Sequence, residues 1–414
     1  SSAVVVDMTS LFLEDSYYSS PFPGYAANSL YGLVTREHEF DEERSFLRDA
    51  HAYQNSIIVG CEMSYDVDYM FFGAMIMNQD VPVTVLVDKI LMLLPETPMQ
   101  ARLADPRIGT SYYTGAVLEN AKTGLKKVFY SNRWRIEPVD PVAYASGELV
   151  EPQKPIVFYL DTLMPQTWKK YIRSGAEEWN LAFEKIGFKD VVRVLEFPQN
   201  DSIFNANDLN YSTIRYAPLT LDEILTSMHT DPRTGEILNA SIYISDNVRY
   251  ALYLSRVLST MATDPSVRQA VLAEEVMGDL IRTSIMQSVG ECLGLTSNFG
   301  ASYAYPVDSL RSPSFTQKYG TTYSIMDYAR NNYVAQPGDK ERGVRLTPPD
   351  LGLADYFSIK WLYTPLLDAK TSEEEVPTLD RWISEKSGNP IYRYGKQQFT
   401  YRIDPSSCEE DLGD

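Results

Sequence analysis

The chain has 414 residues, more than a single domain usually holds, so we expect at least two packed units. Hydrophobic residues make up 44% and charged residues 22%, the balance of a folded protein rather than a disordered one. The 37 basic and 56 acidic residues give a formal charge of −19, which would repel phosphate backbones and anionic membrane surfaces. We therefore expect no nucleic-acid partner.

Cysteine content and hydropathy add two further expectations. The three cysteines, Cys61, Cys292 and Cys408, are too widely spaced for a disulfide framework or a zinc knuckle. No apolar run is as long as the roughly 18 residues that a membrane-spanning helix needs, so we predict no transmembrane segment. The chain opens without a charged and apolar leader, and we expect any export signal or lipid anchor to lie in residues removed from it.

Residues 1–150 are predicted to form a β-rich first domain. The stretches 81–87 and 90–95 are β-branched or apolar and bounded by proline, as sheet strands often are. The stretch 134–141 ends in two closely spaced prolines, with further prolines just beyond. Because proline disfavours helix at the residue before it, this stretch is predicted to be an extended connector.

From Pro155 onward the pattern changes to alternating strands and helices. Four strands are predicted, at 156–160, 191–195, 212–216 and 241–245. A helix with one apolar face follows the first strand, ends at Gly187 and carries Trp168, Ile172, Trp179, Phe183 and Ile186. Turn residues at 231–235 are predicted to connect the last two strands. Further helices are predicted around 249–262 and from about 268 to 294, and the acidic cluster 373–375 reads as a solvated loop or helix start.

The last long helix carries residues with the spacing of a known metal-binding motif. Gln287, Ser288, Glu291, Gly294 and Ser297 occupy the five fixed positions of the pattern H-E-x-x-H-x-x-G-x-x-H. In that pattern two histidines share one face of a helix, and the glycine turns the chain so that a third histidine completes the site. Here the glycine is kept and the other four side chains differ.

Further segments match a family that uses this motif. Residues 324–328, Ser-Ile-Met-Asp-Tyr, are similar to the methionine turn beneath the metal site of metzincins. The other matching segments are 147–152, 231–237, 301–313, 334–339 and 345–350. Together they closely resemble a family of large bacterial zinc-dependent metalloproteases of metzincin type, found among exported proteins of Gram-negative bacteria. The resemblance covers the chain from about residue 80 to its end.

The resemblance implies that the zinc site is degenerate. The family's three ligand histidines fall on Gln287, Glu291 and Ser297, and its catalytic glutamate falls on Ser288. An amide oxygen and a hydroxyl are poor zinc ligands, and Glu291 alone does not make a site. An alcohol at 288 lacks the basicity that activates a metal-bound water. We therefore expect no zinc cofactor and no intact catalytic residue.

The remaining candidates are assigned structural roles. Met326 is expected to remain as a packing residue beneath the former site. Tyr328 matches a tyrosine that assists the metal in some metzincins, and here it is expected to line the wall of the cleft. The histidines are His38, His51 and His229, and none has a second histidine at helical spacing. His229 is predicted to lie in the loop before the 231–236 turn. Cys292 is expected to be a buried thiol.

These observations predict an α+β fold. A zincin-like domain at 151–370, with a twisted mixed sheet, a backing helix and the former active-site helix, follows the β-rich domain at 1–150. Residues 371–414 are predicted to begin a further helical region of a longer protein.

The first functional hypothesis is a catalytically inactive metalloprotease homologue outside the cytoplasm. It would bind a peptide or protein along an edge strand, with 241–245 or its neighbour as the candidate. It would serve as an accessory subunit, for example of a membrane-protein complex for nutrient uptake at the cell surface, anchored at the outer membrane or periplasmic. One alternative is an active zinc metallopeptidase with a non-standard site around Glu291. Another is a purely structural subunit whose cleft is filled by its own loops.

Overall fold

The computed structural model describes residues 4–15, 34–71, 75–120, 124–218, 222–302, 304–397 and 407–408. The helices are α1 (Thr9–Phe12), α2 (Pro141–Ala145), α3 (Gln166–Glu177), α4 (Asn180–Glu184), α5 (Val248–Thr260), α6 (Glu274–Cys292), α7 (Val307–Leu310), α8 (Pro313–Tyr319), α9 (Leu353–Tyr363) and α10 (Ser372–Ser384). The strands are β1 (Val34–Ala52), β2 (Ser56–Phe71), β3 (Met75–Met92), β4 (Tyr112–Asn120), β5 (Gly124–Ser131), β6 (Ile156–Leu160), β7 (Val192–Glu196), β8 (Ser212–Ala217), β9 (Ile224–Thr230), β10 (Ile237–Ser245), β11 (Lys396–Gln397) and β12 (Ser407–Cys408).

The chain forms two compact units. The first contains Ser1–Pro95 and Asn200–Leu209, and the second contains Glu96–Gln199 and Asn210–Asp414. Both helices and strands are abundant, and a β-rich region precedes the mixed part of the chain, so the α+β prediction is confirmed.

The first unit is built on a three-stranded antiparallel sheet in the order β1-β2-β3. Strand β2 lies in the middle, and its alternate residues Cys61, Met63, Tyr65 and Val67 are buried in one apolar cluster with Phe12 of α1. Ile58, Gly60 and Ser64, at positions of the other parity, are buried as well. The predicted strands at 81–87 and 90–95 belong to one strand, β3, which ends at Met92.

Residues 96–150, which the sequence analysis assigned to the first domain, have their contacts in the second unit. The backbone N–H of Ser111 donates to the carbonyl of Gly294 at 2.8 Å. The indole Nε1 of Trp134 donates to the carbonyl of Cys292, also at 2.8 Å. The boundary between the two units therefore lies at residue 95 rather than at the predicted 150. The composition of a strand indicates that it belongs to a sheet, but it does not show which hydrophobic core that sheet joins.

The second unit contains a five-stranded sheet in the order β7-β6-β8-β10-β9. The first four strands are parallel, and β9 pairs antiparallel with β10. All four strands predicted in this region are present as β6, β7, β8 and β10. The predicted single helix before Gly187 is two helices, α3 and α4, separated at residues 178–179.

Strand β9 is absent from the sequence-based prediction, and its presence corrects two expectations. The turn at 231–235 connects β9 to β10 rather than β8 to β10, and His229 lies within β9, opposite Asn239, rather than in a loop. The candidate edge at 241–245 belongs to β10, which is paired on both sides. The outermost strand is its neighbour β9.

Helix α6 runs through the centre of the second unit. It begins at Glu274 rather than at the predicted 268. Asp264 caps a short 3-10 turn before it, and residues 268–273 connect that turn to the helix without being helical. Every residue from 283 to 290 is buried. A helix that is buried all round is unusual on a protein surface and indicates packing on several sides. Among the described residues, no helix combines the length and apolarity that crossing a bilayer demands.

The C-terminal segment begins with α10, whose first turn contains the acidic cluster 373–375. The prediction of a helix start is therefore right, but the prediction of a solvated cluster is wrong for Glu375, which is buried against Arg102. Most of the chain beyond residue 397, where a further helical region was predicted, lies outside the described residues.

Candidate functional site

The last turns of α6 bring three of the predicted site residues to one cavity. Gln287 is 3% exposed, Ser288 is 6% exposed and Glu291 is half-buried. The cavity has a volume of about 170 Å³ and lies between α5, α6, the start of β9 and the chain after the methionine turn. Its lining residues are Asp222, Glu223, Ile224, Val248, Ala251, Leu252, Ser255, Ser284, Gln287, Ser288, Glu291, Tyr328 and Arg330.

The carboxyl group of Glu291 is held by the edge strand. Thr226 of β9 donates its hydroxyl to Oε2 of Glu291 at 2.8 Å. Burial raises the pKa of Glu291 above its ordinary value, and the hydrogen bond from Thr226 and the charge of Arg330 offset part of that rise. The residue at the second ligand position therefore connects α6 to β9.

The guanidinium group of Arg330 contacts Gln287, the residue at the first ligand position. Arg330 donates from Nη2 to Oε1 of Gln287 at 2.9 Å. The same guanidinium lies 5.2 Å from the centre of the Tyr328 ring, a distance at which cation and ring attract. The Tyr328 ring also stacks on Phe299, with centroids 5.4 Å apart. Arg330 thus adds a positive charge to the cavity that sequence reasoning missed.

The buried polar atoms at the cavity that have no hydrogen-bond partner among the described residues include Nε2 of Gln287 and Oγ of Ser284. The bond from Arg330 fixes which end of the Gln287 amide is the oxygen, because a guanidinium only donates. The Nε2 group is therefore a donor without an acceptor, which is costly in a protein interior.

The chain turns at Gly294, as the motif spacing predicts. Gly294 has φ +86°, and a Cβ built there would lie 2.1 Å from the carbonyl oxygen of Asn132. Its N–H donates to the carbonyl of Glu291 at 2.8 Å and closes the end of α6. Ser297 follows and is half-buried, but it is not among the residues that line the cavity. The third ligand position is therefore not brought together with the other two.

The methionine turn packs directly beneath α6. Met326 is buried, and a Cβ built on Gly290 would lie 2.4 Å from its sulfur. Asp355 of α9 holds the turn by accepting from the hydroxyl of Ser324 at 2.6 Å, from the N–H of Ile325 at 2.7 Å and from the N–H of Gly352 at 2.7 Å. Burial raises the pKa of Asp355 to about 7, against these hydrogen bonds. Nothing in the sequence pattern pointed to Asp355.

The other candidate ligands lie elsewhere. His38 and His51 are on β1 in the first unit, and His229 is an exposed residue of β9 that does not line the cavity. Cys292 is buried, which raises the pKa of its thiol far above the ordinary value. Among the described residues, no three His, Cys, Asp or Glu side chains are grouped so as to hold a metal ion.

Zinc, the cofactor of the family that the sequence resembles, does not fit this set of residues. The amide oxygen of Gln287 already accepts from a guanidinium, whose charge would oppose a divalent cation. Glu291 is the one carboxylate at a ligand position, and Ser297 does not face the cavity. Zinc favours imidazole, thiolate or carboxylate donors in a closed set of three or four.

A mixed sheet with an antiparallel edge strand, a long helix and a methionine turn define a metzincin-type domain. Comparison with known families agrees with this assignment: residues 269–414 match a family described as Met-zincin. Residues 1–139 match a family described as a domain of unknown function, DUF5117. The chain has no significant match among curated proteins or solved structures. The predicted relationship to metzincins is confirmed, and the loss of its zinc chemistry stays a prediction.

Proposed function

We propose that the second unit is an inactive metalloprotease homologue that binds an extended peptide along β9 without hydrolysing it. The observation that carries this proposal is the hydrogen bond from Arg330 to Gln287, which directs a fixed cation to the first ligand position. A site that has exchanged a metal ligand for a cation-bound amide keeps the cleft and loses the means of activating water.

The residue at the catalytic base position supports the absence of hydrolysis. Ser288 is almost fully buried and has an alcohol, whose pKa lies far above the range in which a general base works at neutral pH. Glu291 is a further carboxyl group on α6, but its Oε2 already accepts a hydrogen bond from the hydroxyl of Thr226. These groups do not form a nucleophile and base pair.

The position of β9 supports peptide binding. Among the described residues, β9 pairs with β10 on one side only, so backbone groups on its other side are available for a further strand. The cavity is lined by Asp222, Glu223 and Ile224, at the start of β9, and by residues of α6. Strand addition supplies affinity through backbone hydrogen bonds, and a neighbouring cavity selects among side chains.

We further propose that this binding serves an accessory role outside the cytoplasm, next to a membrane-protein partner of a surface uptake complex. The resemblance to exported proteins of Gram-negative bacteria supports a cell-surface or periplasmic setting. Fractionation of the source cells, with affinity purification of the full chain from the membrane fraction, tests this role. Recovery from the cytosolic fraction alone would contradict it.

Strand addition is tested with a terminally blocked probe peptide as long as β9, which has seven residues. The probe alternates valine and threonine, with lysine at each end to suit the acidic protein. Two isomers are N-methylated on alternate amides, one on the odd set and one on the even set. Only alternate N–H groups of an added strand face the edge, so one isomer should bind like the parent peptide, and the other should bind about tenfold or more weakly.

Fluorescence anisotropy gives the affinities, and mass spectrometry of the recovered peptide tests for cleavage. Equal affinities of the two isomers would rule out strand addition. Cleavage that a chelator abolishes, together with stoichiometric zinc by elemental analysis, would favour the alternative of a metallopeptidase with a non-standard site. Failure of all three peptides to bind would favour a structural subunit.

A further inference from the structure

A second cavity in the second unit is bordered by three arginines. Its volume is about 330 Å³, and it shares no lining residue with the cavity at α6. Its lining residues are Met99, Gln100, Arg102, Arg133, Arg135, Ile136, Glu137, Pro138, Pro141, Gln153, Pro365, Leu366, Leu367, Ala369 and Glu375. In a chain with a formal charge of −19, a concentration of arginines around one cavity calls for an explanation.

Two of these arginines are neutralised by glutamates. Arg102 donates from Nε and Nη2 to the two carboxylate oxygens of Glu375, at 2.8 and 2.9 Å. Arg135 donates in the same manner to Glu236, at 3.0 and 2.7 Å. Both are two-pronged pairs, in which one carboxylate satisfies one guanidinium. Neither glutamate has an oxygen left without a donor.

Arg133 is the arginine without a counter-ion. Its side chain is 8% exposed and forms one hydrogen bond among the described residues, from Nη2 to the carbonyl of Gln100 at 2.7 Å. Its Nε is buried without a partner, and no described carboxylate forms an ion pair with it. Burial, followed by the charge of Arg102, lowers its pKa to about 10, although the charges of Glu375 and Glu236 act in the opposite direction. A buried charge without a partner is strongly unfavourable, so an external anion would relieve a defined cost.

The rest of the lining narrows the chemistry of that anion. Met99, Ile136 and Leu366 contribute apolar surface beside the guanidinium, together with three prolines. Glu137 also lines the cavity, but it is exposed and forms no ion pair with the described residues, so solvent screens its charge. An apolar wall with a small number of charged groups, of which Arg133 is the one buried cation without an ion pair among the described residues, is the usual composition of a small-molecule site.

We propose that this cavity binds a small organic carboxylate, with its carboxylate on the Arg133 guanidinium and its apolar chain against Met99, Ile136 and Leu366. A guanidinium can bind the two oxygens of a carboxylate through two parallel hydrogen bonds, and the apolar lining favours an anion with an apolar chain over a free inorganic anion. The site is independent of peptide binding at β9, because the two cavities have no residue in common.

Isothermal titration of the full chain with hexanoate, hexanamide and inorganic phosphate tests the proposal. Hexanoate should bind saturably, and hexanamide and phosphate should each bind about tenfold or more weakly, because each lacks one half of the recognised structure. Equal binding of phosphate and hexanoate would overturn the carboxylate-plus-apolar assignment. Absence of saturable hexanoate binding would overturn the site itself.

Substitutions test whether hexanoate binding depends on Arg133 and on the open volume of the cavity. Arg133→Gln should weaken hexanoate binding about tenfold or more, whereas Arg193→Gln, which removes an exposed charge paired with Glu151, should leave it unchanged. If Arg133→Gln does not fold, Ala369→Phe keeps the guanidinium and fills the cavity, and it should weaken hexanoate binding to a similar degree. Unchanged affinity in a folded Arg133→Gln or Ala369→Phe protein would contradict the proposal.

Discussion

At the scale of single residues, the four replaced motif positions behave differently from one another. Gln287 and Glu291 each accept a side-chain hydrogen bond, from Arg330 and Thr226, whereas Ser288 and Ser297 form no side-chain hydrogen bond with the described residues. The motif spacing identified the positions to compare with the zinc motif, and the replacement of its ligands stays a prediction. The spacing did not show Arg330, because that residue lies 43 positions from its partner and belongs to no motif.

Asp355 carries a residue-scale prediction on pH dependence. Its pKa is raised by burial from an ordinary 3.8 to about 7, so the native state holds this proton more tightly than the unfolded chain. The stability that the protonated carboxyl contributes is fully present below about pH 4 and is lost as the pH rises through 7. Asp355→Asn does not titrate. Its free energy of unfolding should therefore improve relative to the parent between pH 4 and pH 8.

Urea denaturation at pH 4, 6 and 8 measures this difference. Asp355→Ala is the control, because it removes all three accepted hydrogen bonds and should be destabilised by about 3 kcal/mol or more at every pH. A constant difference between Asp355→Asn and the parent across the pH range would show that Asp355 is not the titrating group.

At the scale of elements, the residue pattern predicted β6, β7, β8 and α5 closely, and it predicted residues 241–245 of β10, which begins at Ile237. Strand β9 was not predicted, because its sequence from 224 to 230 is mostly polar and alternates only weakly between polar and apolar residues. An edge strand needs to bury only part of its surface, so it needs no stronger pattern. The break between α3 and α4 was not predicted either, since one apolar face continues across it.

The end of α6 carries a prediction at the element scale. Gly294 has a positive φ, and an added Cβ would clash with the carbonyl oxygen of Asn132. We therefore expect Gly294→Ala to lower the free energy of unfolding by roughly 3 kcal/mol or more. Gly147→Ala is the matched control, because Gly147 has φ +89° and nothing within 4 Å of its built Cβ. It should lose only about 1 kcal/mol. Chemical denaturation compares the two, and equal losses would mean that the close approach costs nothing.

At the scale of the whole molecule, the origin of the site can be tested by restoring the motif. Gln287→His, Ser288→Glu, Glu291→His and Ser297→His restore the motif residues, of which 287, 288 and 291 line one cavity, but Arg330 stays beside the first ligand position. Adding Arg330→Ala should raise zinc affinity by at least about tenfold, because it removes a cation from the metal's surroundings. Competition with a chromophoric chelator measures both affinities. Equal zinc affinity with and without Arg330 would show that its charge does not oppose the metal.

The division into units also depends on the whole molecule. Residues 200–209 follow β7 of the second unit but belong to the first, where Ser56 donates to Asp208 at 2.8 Å and Asn205 donates to Tyr53, also at 2.8 Å. Residues 96–150 belong to the second unit, although the sequence-based prediction assigned them to the first. The composition of the chain does not indicate which unit a segment contacts.

The sequence by itself determined the relationship to metzincins, the α+β class, most strands of the central sheet and the positions where the zinc motif has changed. These follow from local spacing and hydrophobic period, which a linear chain displays directly. Only the tertiary structure decided that β9 is the edge, that Arg330 contacts Gln287, that Asp355 holds the methionine turn and that Arg133 is buried without a counter-ion. Each of these depends on burial and on side chains far apart in the chain, and neither leaves a periodic signal.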